Sequence, residues 1–213
     1  MDGFRPATVD ESPGLDCPNA PNTSSDVAAY VKNGILELVA NVNNRPGVYV
    51  NAISNHDLNY APGRYTVTGQ FRLLTPDQAE IIGLNLNYVR DWYEHPIIFG
   101  WVTNPWNELY GDIIIKIRDG SIITTHSLEV DTKWHTFELV GDFLPDGAKY
   151  HSLTIDGFTV NIDRYTLKVK KPWRSGGGVA LETSNLWPSC DGRSVYRAIT
   201  HWDNIRVSRE PLK

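Results

Sequence analysis

The segment from Arg90 to Tyr110 holds the side chains with the most varied chemistry in this sequence. Aromatic rings alternate there with amide, carboxylate and cationic groups. Sugar rings stack their apolar C–H faces on aromatic rings, and their hydroxyls need planar amide and carboxylate partners. A long loop that packs against itself as a small satellite core has a similar composition. Among these rings we take Trp92, Trp101 and Trp106 as candidate ligand contacts.

Three segments around this loop alternate apolar and polar residues with a period of two, the spacing that separates the two faces of a strand. If these strands are neighbours, their polar sides form one patch that grips a ligand through amide and guanidinium donors. A solvent-facing sheet shows the same alternation. Thr68 belongs to this patch. Its candidate ligand-binding residues are Gln70, Arg72, Asn85, Asn87, Lys116 and Arg118.

Paired carboxylates are what glycoside hydrolysis requires. At strand spacing the nearest pair is Glu129 and Asp131, but it lies just before a predicted connection, so a solvated turn is the favoured interpretation. Because no His-x-His spacing occurs, the histidines do not indicate a metal site, and His95 and His126 are kept as candidate acid–base groups. Two further acid pairs lie in predicted loops, Asp91 with Glu94 and Glu108 with Asp112.

Several other classes of site are disfavoured. No Gly-x-Ser-x-Gly nucleophile elbow is present, and the triple glycine at 176–178 lacks the Lys-Ser/Thr of a phosphate-binding loop, so it predicts a hairpin loop. The chain carries 20 basic and 25 acidic residues, a formal charge of −5. This balance argues against nucleic-acid partners, which require a basic surface.

The elements that must position these residues are predicted to be short strands. From Tyr30 onward, period-2 segments follow one another, with Asp-Gly hairpin signals at positions 119–120, 146–147 and 156–157. One helix-like stretch, Thr75–Glu80, interrupts them. Many short strands without intervening helices predict an all-β, antiparallel sandwich or barrel. We expect an irregular arm over residues 1–26 and a single domain over residues 27–213.

Three phrases occur in order between Tyr30 and Glu210: "YVKNGILELVAN", "KWHTFELVGDFLPDGAKYHSLTIDGFTV" and "HWDNIRVSRE". The first resembles the opening strands of the concanavalin A-like lectin/glucanase superfamily. The second is similar to paired strands of laminin-G-like jelly rolls, and the third to the final strand of the same sandwiches. The resemblance implies a jelly-roll β-sandwich of two antiparallel sheets. Lectins, glycosidases, lyases and adhesion modules share these phrases, so they do not fix the function.

With this resemblance, the leading expectation is glycan binding by a lectin-like domain, through the polar patch and the loop between residues 90 and 110. The first alternative is a glycoside hydrolase or polysaccharide lyase on the same fold, and the second is a structural or adhesion module that binds protein. The E-x-D-x-E strand motif of the superfamily's glucanases is absent. A lyase would need a cation and a base, for which Arg72, Lys116 and either His126 or Tyr88 are candidates.

The resemblance implies no required cofactor, but it does imply a candidate structural calcium. In many such jelly rolls the Asp of the last-strand phrase is a calcium ligand, and here that residue is Asp203, with Asp26 or Glu37 as partner. The alternative is that Asp203 accepts backbone N–H bonds at the sheet edge.

The two cysteines, Cys17 and Cys190, form either one disulfide or two free thiols. No run of about 18 apolar residues is present, so we expect no membrane span. The N-terminus lacks the apolar region of a signal peptide, but a chain whose signal peptide had been removed would look the same. In that case a secreted or cell-surface location is favoured. The sequence does not indicate an oligomeric state.

Overall fold

The structure is a computed structural model and describes residues 10–13, 25–42, 48–57, 61–90, 93–170, 176–185 and 196–212. These ranges contain strands and turns. The strands are β1 (Asp10–Pro13), β2 (Ser25–Lys32), β3 (Ile35–Val42), β4 (Val48–Asp57), β5 (Gly63–Leu73), β6 (Ala79–Arg90), β7 (Tyr93–Val102), β8 (Asp112–Lys116), β9 (Ile122–Ser127), β10 (His135–Leu144), β11 (Gly147–Ile155), β12 (Phe158–Tyr165), β13 (Val169–Lys170), β14 (Gly176–Asn185) and β15 (Tyr196–Glu210).

The strands form two antiparallel sheets. The eight-stranded sheet has the order β1-β4-β14-β6-β7-β8-β9, and β13 pairs with β7 beside this path. The seven-stranded sheet has the order β12-β11-β10-β5-β15-β3-β2. The two sheets pack face to face, so the predicted antiparallel two-sheet jelly roll is confirmed.

The alternation of apolar residues builds the core between the sheets. In β5 the predicted inward set of Tyr65, Val67, Phe71 and Leu73 is buried. From the opposite sheet, β7 contributes rings that the phenyl ring of Phe71 contacts, with its centroid 6.0 Å from that of Phe99. Because each strand of a packed sheet exposes one face, the polar positions between these residues lie on the outer faces of the sandwich.

The period-2 segments that the sequence predicts as strands from Tyr30 onward correspond to strands of the two sheets. The Asp156-Gly157 hairpin is confirmed, with φ of 49° and 83° at its two residues, the combination that a type I′ turn requires. The helix-like stretch Thr75–Glu80 is not a helix: it is a turn closed by Gln78 N–H donating to the Thr75 carbonyl, and its last two residues begin β6.

Three strands were not predicted: β1, β2 and β13. β1 lies within the segment expected to be an irregular arm, and it pairs with β4.

The two cysteines and Trp92 lie outside the described residues, so the disulfide remains a prediction. The described part of the chain contains no helix that is long and apolar enough to cross a membrane.

Candidate functional site

The polar residues that were expected to form one patch are divided between the two sheets. β5 belongs to the seven-stranded sheet, whereas β6 and β8 belong to the eight-stranded sheet. The outer faces of a sandwich point in opposite directions. Gln70 and Arg72 are therefore on the other side of the molecule from Asn85, Asn87 and Lys116. The expectation of a single patch is wrong, because β5 and β6, which follow one another in sequence, belong to different sheets.

Arg72 on the seven-stranded sheet is engaged with its neighbours. Its guanidinium donates to His201 Nδ1 at 3.0 Å and lies 4.6 Å from the ring centre of Trp134. Because Nδ1 accepts from Arg72, Nε2 carries the proton and donates to Glu37 Oε2 at 2.8 Å. Gln70 is paired in register with Asp203 and Thr136 of the adjacent strands.

The outer face of the eight-stranded sheet is different and contains a cleft of about 380 Å³. One row of residues paired in register crosses it, from Glu182 of β14 to Gly83 of β6, Gly100 of β7 and Ile114 of β8. The two central positions have no side chain, so the neighbouring side chains fold over them. A Cβ at Gly83 would lie 3.3 Å from Glu182 Cγ. The cleft therefore has an apolar floor and a carboxylate lying along it.

A second carboxylate reaches the cleft because β6 has a β-bulge. Ser184 and Asn185 are consecutive in β14, but they pair with Ile81 and Ala79, so Glu80 is an extra residue in β6. Ala79 and Ile82 are both buried in the core. Both Glu80 and Ile81 line the cleft on the outer face. A bulge re-aims a side chain in this way, and bulges are frequent beside active sites.

The carboxyl group of Glu80 is held by the loop that follows β7. Asn104 Nδ2 donates to Glu80 Oε2 at 2.7 Å, and Asn104 Oδ1 accepts from Trp106 N–H at 2.9 Å. Burial raises the pKa of Glu80, and the hydrogen bond from Asn104 opposes this in part. The site thus holds a carboxyl group whose proton is retained to higher pH than usual.

Three of the predicted polar residues lie on this face, and one of them lines the cleft. Lys116 lines it and is exposed. Asn85, which pairs with Ala180 and Ile98, and Asn87, which pairs with Pro96, follow along β6. The Oδ1 atoms of Asn85 and Asn87 are buried and have no hydrogen-bond partner in the described part of the chain.

The candidate aromatic contacts have different positions. Trp101 is fully buried in the core, with its ring 5.8 Å from that of Phe71 and 5.3 Å from that of His135, so it is not available to a ligand at the surface. This corrects its assignment as a ligand contact: the alternation of β7 points it inward. Trp106 is 70% exposed in the loop that Asn104 anchors beside Glu80.

The other candidate acid–base groups are not in the cleft. Tyr88 and His95 are buried on the inner side of the sheet. His126 lies at the edge strand β9, with Nε2 2.9 Å from the Phe158 carbonyl oxygen. Lys133 joins Asp131 at 2.6 Å and Glu129 at 3.7 Å, an arrangement that fits a solvated turn.

Among the described members of the two further acid pairs, none contributes a carboxylate to this cleft. Asp112 accepts hydrogen bonds from Ser127 and Thr124, and Glu108 is exposed. Glu94 does not line the cleft, and Asp91 lies outside the described residues. Arg118 lies at another corner, 5.7 Å from the ring centre of Tyr165.

In the part of the chain that the structure describes, Asp203 is not surrounded by the oxygen ligands that were expected around calcium. Its carboxylate accepts from the backbone N–H and the side-chain amide of Asn204, and Glu37 is bound to His201. Asp26 pairs with Asn41, whereas Glu37 pairs with Tyr30 near the other end of β3. Among the described residues no group of three His, Cys, Asp or Glu side chains is arranged to hold a metal ion.

Sequence reasoning did not select the two carboxylates that face the cleft. Glu182 was detectable, because Val179, Leu181 and Thr183 alternate with it in a predicted strand. Glu80 could not be found in this way. It is two residues before Ile82, which faces the core, so a regular strand would place Glu80 on the core side as well.

Two antiparallel sheets with this strand arrangement define a concanavalin A-like jelly roll, as the sequence resemblance implied. No protein-family model and no curated protein sequence matches the chain. The solved structures similar to it include a family 7 alginate lyase in complex with its substrate, with a TM-score of 0.52, 11% identity, and coverage of 87% of this chain and 82% of that one. Another is the alginate lyase Aly36B in complex with an alginate tetrasaccharide, with a TM-score of 0.51, 12% identity, and coverage of 87% and 84%. At these identities the likeness establishes the fold alone.

Proposed function

We propose that this protein is a carbohydrate-active enzyme that hydrolyses a polysaccharide in the cleft of the eight-stranded sheet. The observation that carries the proposal is the β-bulge of β6, which brings the half-buried carboxyl group of Glu80 into the cleft that Glu182 also lines. Two carboxyl groups that face one cleft are what glycoside hydrolysis needs.

The two carboxyl groups have distinct roles in this proposal. Glu80, whose pKa is raised by burial, is the general acid that gives its proton to the glycosidic oxygen as the bond from that oxygen to the anomeric carbon breaks. Glu182 is the second carboxylate, which either takes a proton from the attacking water or attacks the same carbon itself. Glu182 pairs with Gly83, three residues along β6 from Glu80, which is about 10 Å along the strand and about 4.8 Å across it. Two glutamate side chains can reduce this separation to the 5–10 Å that such chemistry uses.

The shape of the cleft supports a sugar chain as substrate. Its floor is formed by Ile98, Ile114 and the paired glycines, which offer an even apolar surface to C–H faces. The indole of Trp106 is exposed at the end where Asn104 holds Glu80, a suitable place for one ring to stack. Asn85 and Lys116 supply hydrogen-bonding groups at the other side of the row.

A polysaccharide lyase is the second candidate, favoured by the cation at Lys116 in the same cleft and by the fold likeness to alginate lyases. The other residues named for lyase chemistry do not support it. Arg72 lies on the opposite sheet, Tyr88 faces the core and His126 lies at the sheet edge. Lectin-like binding without cleavage is the third outcome that the experiment must separate.

The test is to incubate the protein with neutral and uronate-containing polysaccharides and to analyse the products. A hydrolase releases reducing ends without unsaturated sugars, a lyase releases ends that absorb in the ultraviolet, and a lectin binds without releasing either. We expect reducing ends alone. Unsaturated products from the wild-type protein would show that it cleaves by elimination and would contradict the proposal of hydrolysis.

Substitution of the carboxylates assigns the activity to the cleft. Glu80→Gln and Glu182→Gln should each lower kcat by about 10²- to 10⁴-fold, the usual contribution of an acid–base group. Glu138→Gln is the matched control, because Glu138 is an exposed carboxylate on the outer face of the seven-stranded sheet. Equal activity in all three variants would remove the cleft carboxylates from the mechanism.

A further inference from the structure

A corner of the sandwich away from the cleft gathers cationic side chains from separate elements. Arg118 follows β8, Lys168 precedes β13, and His95 lies in β7. Together with Asp146 from the turn between β10 and β11, they line one small cavity. His95 is five residues from Gly100 on β7, about 16 Å along the strand, so this corner is distinct from the carboxylate row of the cleft.

The two cations are held by aromatic rings and not by carboxylates. Lys168 Nζ lies 4.0 Å from the ring centre of Tyr93, and Arg118 Cζ lies 5.7 Å from that of Tyr165. Neither cation forms an ion pair within the described ranges, whereas Lys149 joins Asp163 at 2.6 Å. A cation–π contact fixes the position of a cation while leaving its charge uncompensated.

The lowered pKa of His95 is consistent with this excess of positive charge. Burial lowers the pKa of His95 most, and the nearby charges of Lys168 and Arg118 lower it further, while Asp146 opposes them. The rings of Tyr88, 6.4 Å from His95, and Tyr165 complete the surroundings. Two cations face one carboxylate here, although the whole chain has a net charge of −5.

We propose that this corner binds an oxyanion, the sulfate or carboxylate group of an acidic sugar, between Arg118 and Lys168 at the mouth of the cavity. The cavity itself holds about 10 Å³, room for about one water molecule, so the anion sits at its exposed opening. The planar guanidinium of Arg118 can give two parallel hydrogen bonds to such a group, and Lys168 adds a point charge. This site does not depend on hydrolysis in the cleft.

The test is a titration of the protein with sodium sulfate at constant ionic strength, followed by NMR of the His95 imidazole. A bound anion offsets Lys168 and Arg118, so the pKa of His95 should rise by about one unit in saturating sulfate. Titrations with sodium glucuronate and with a sulfated disaccharide show whether the carboxylate or sulfate group binds more tightly as part of a sugar than inorganic sulfate does. Glucose, which has no anionic group, should have no effect. No change in the pKa of His95 with any anion would overturn the proposal.

Variants separate a built site from general charge. Arg118→Ala and Lys168→Gln should each weaken sulfate binding at least tenfold, while Arg118→Lys should weaken it less. Asp146→Asn should strengthen binding several-fold, because it removes the opposing charge. Lys149→Gln, which removes an already paired cation, is the matched control and should leave binding unchanged. Equal loss in this control would show that only overall charge matters.

Discussion

The outer faces of the two sheets use polar residues in opposite ways. On the seven-stranded sheet Arg64 donates to both oxygens of Asp142, at 2.9 and 3.2 Å, and His151 Nε2 is 2.6 Å from the same carboxylate. On the eight-stranded sheet the floor is apolar, and Glu80 faces the cleft with a raised pKa.

The two faces differ in whether their polar groups have hydrogen-bond partners. Groups that satisfy one another stabilise a surface, whereas a ligand site keeps groups whose solvation is incomplete until the ligand arrives. The buried Oδ1 atoms of Asn85 and Asn87, which lack partners among the residues described, fit the second pattern. Polarity alone therefore does not identify a binding face. Asn41 Oδ1 on the seven-stranded sheet also lacks a partner among the described residues, so what distinguishes the eight-stranded sheet is the apolar floor beside its unpartnered groups.

The largest expected difference between the two faces is the effect of removing a tryptophan from each on polysaccharide binding. Trp106→Ala should weaken polysaccharide binding by at least tenfold, since truncating an aromatic anchor at a hot spot costs about 2–4 kcal/mol. Trp134→Ala removes an indole that stacks on Arg72 of the opposite sheet, and it should leave binding unchanged. Affinity electrophoresis in polysaccharide-containing gels measures both. A greater loss for Trp134→Ala would move the binding site to the seven-stranded sheet.

A smaller effect is expected on stability at Asp142. Asp142→Asn should lower the free energy of unfolding at pH 7 by about 1–2 kcal/mol, because it weakens charged hydrogen bonds, discounted for the 43% exposure of Arg64. The pKa of Asp142 is lowered: burial raises it, but the hydrogen bonds from Arg64 and His151 outweigh burial. Its stabilisation is therefore present above the unfolded value of about 3.9 and is lost as the pH falls through the folded pKa. Urea unfolding from pH 3 to pH 7 tests this, and a difference that is constant with pH would contradict it.

The smallest effect has the opposite sign. Because the pKa of Glu80 is raised, the folded protein favours its protonated form, and this contribution is lost as the pH rises through the folded pKa. Glu80→Gln should therefore leave stability unchanged near pH 4 and increase it by less than about 1 kcal/mol at pH 7, while activity falls. Thermal unfolding at the two pH values measures the change. A clear loss of stability at pH 7 would mean that the carboxylate of Glu80 is a structural group.

The sequence alone determined the local features of this protein. The alternation of Leu84 and Leu86 with Asn85 and Asn87 defines the two faces of β6, because neighbouring residues of a strand point to opposite sides. The Asp156-Gly157 turn was equally predictable, since its positive φ values favour these residue types.

Tertiary structure decided which of these features meet. Arg72 and Asn85 belong to different sheets because strand order depends on long-range pairing, for which a single strand carries no signal. The inward position of Trp101 depends on the phase of β7, because an apolar ring suits a core and a sugar site equally well. Glu80 reaches the cleft only through a bulge that forms when β14 pairs with β6. A one-residue shift in register reverses the face of a side chain, so the candidate site could be recognised only after the sheets had assembled.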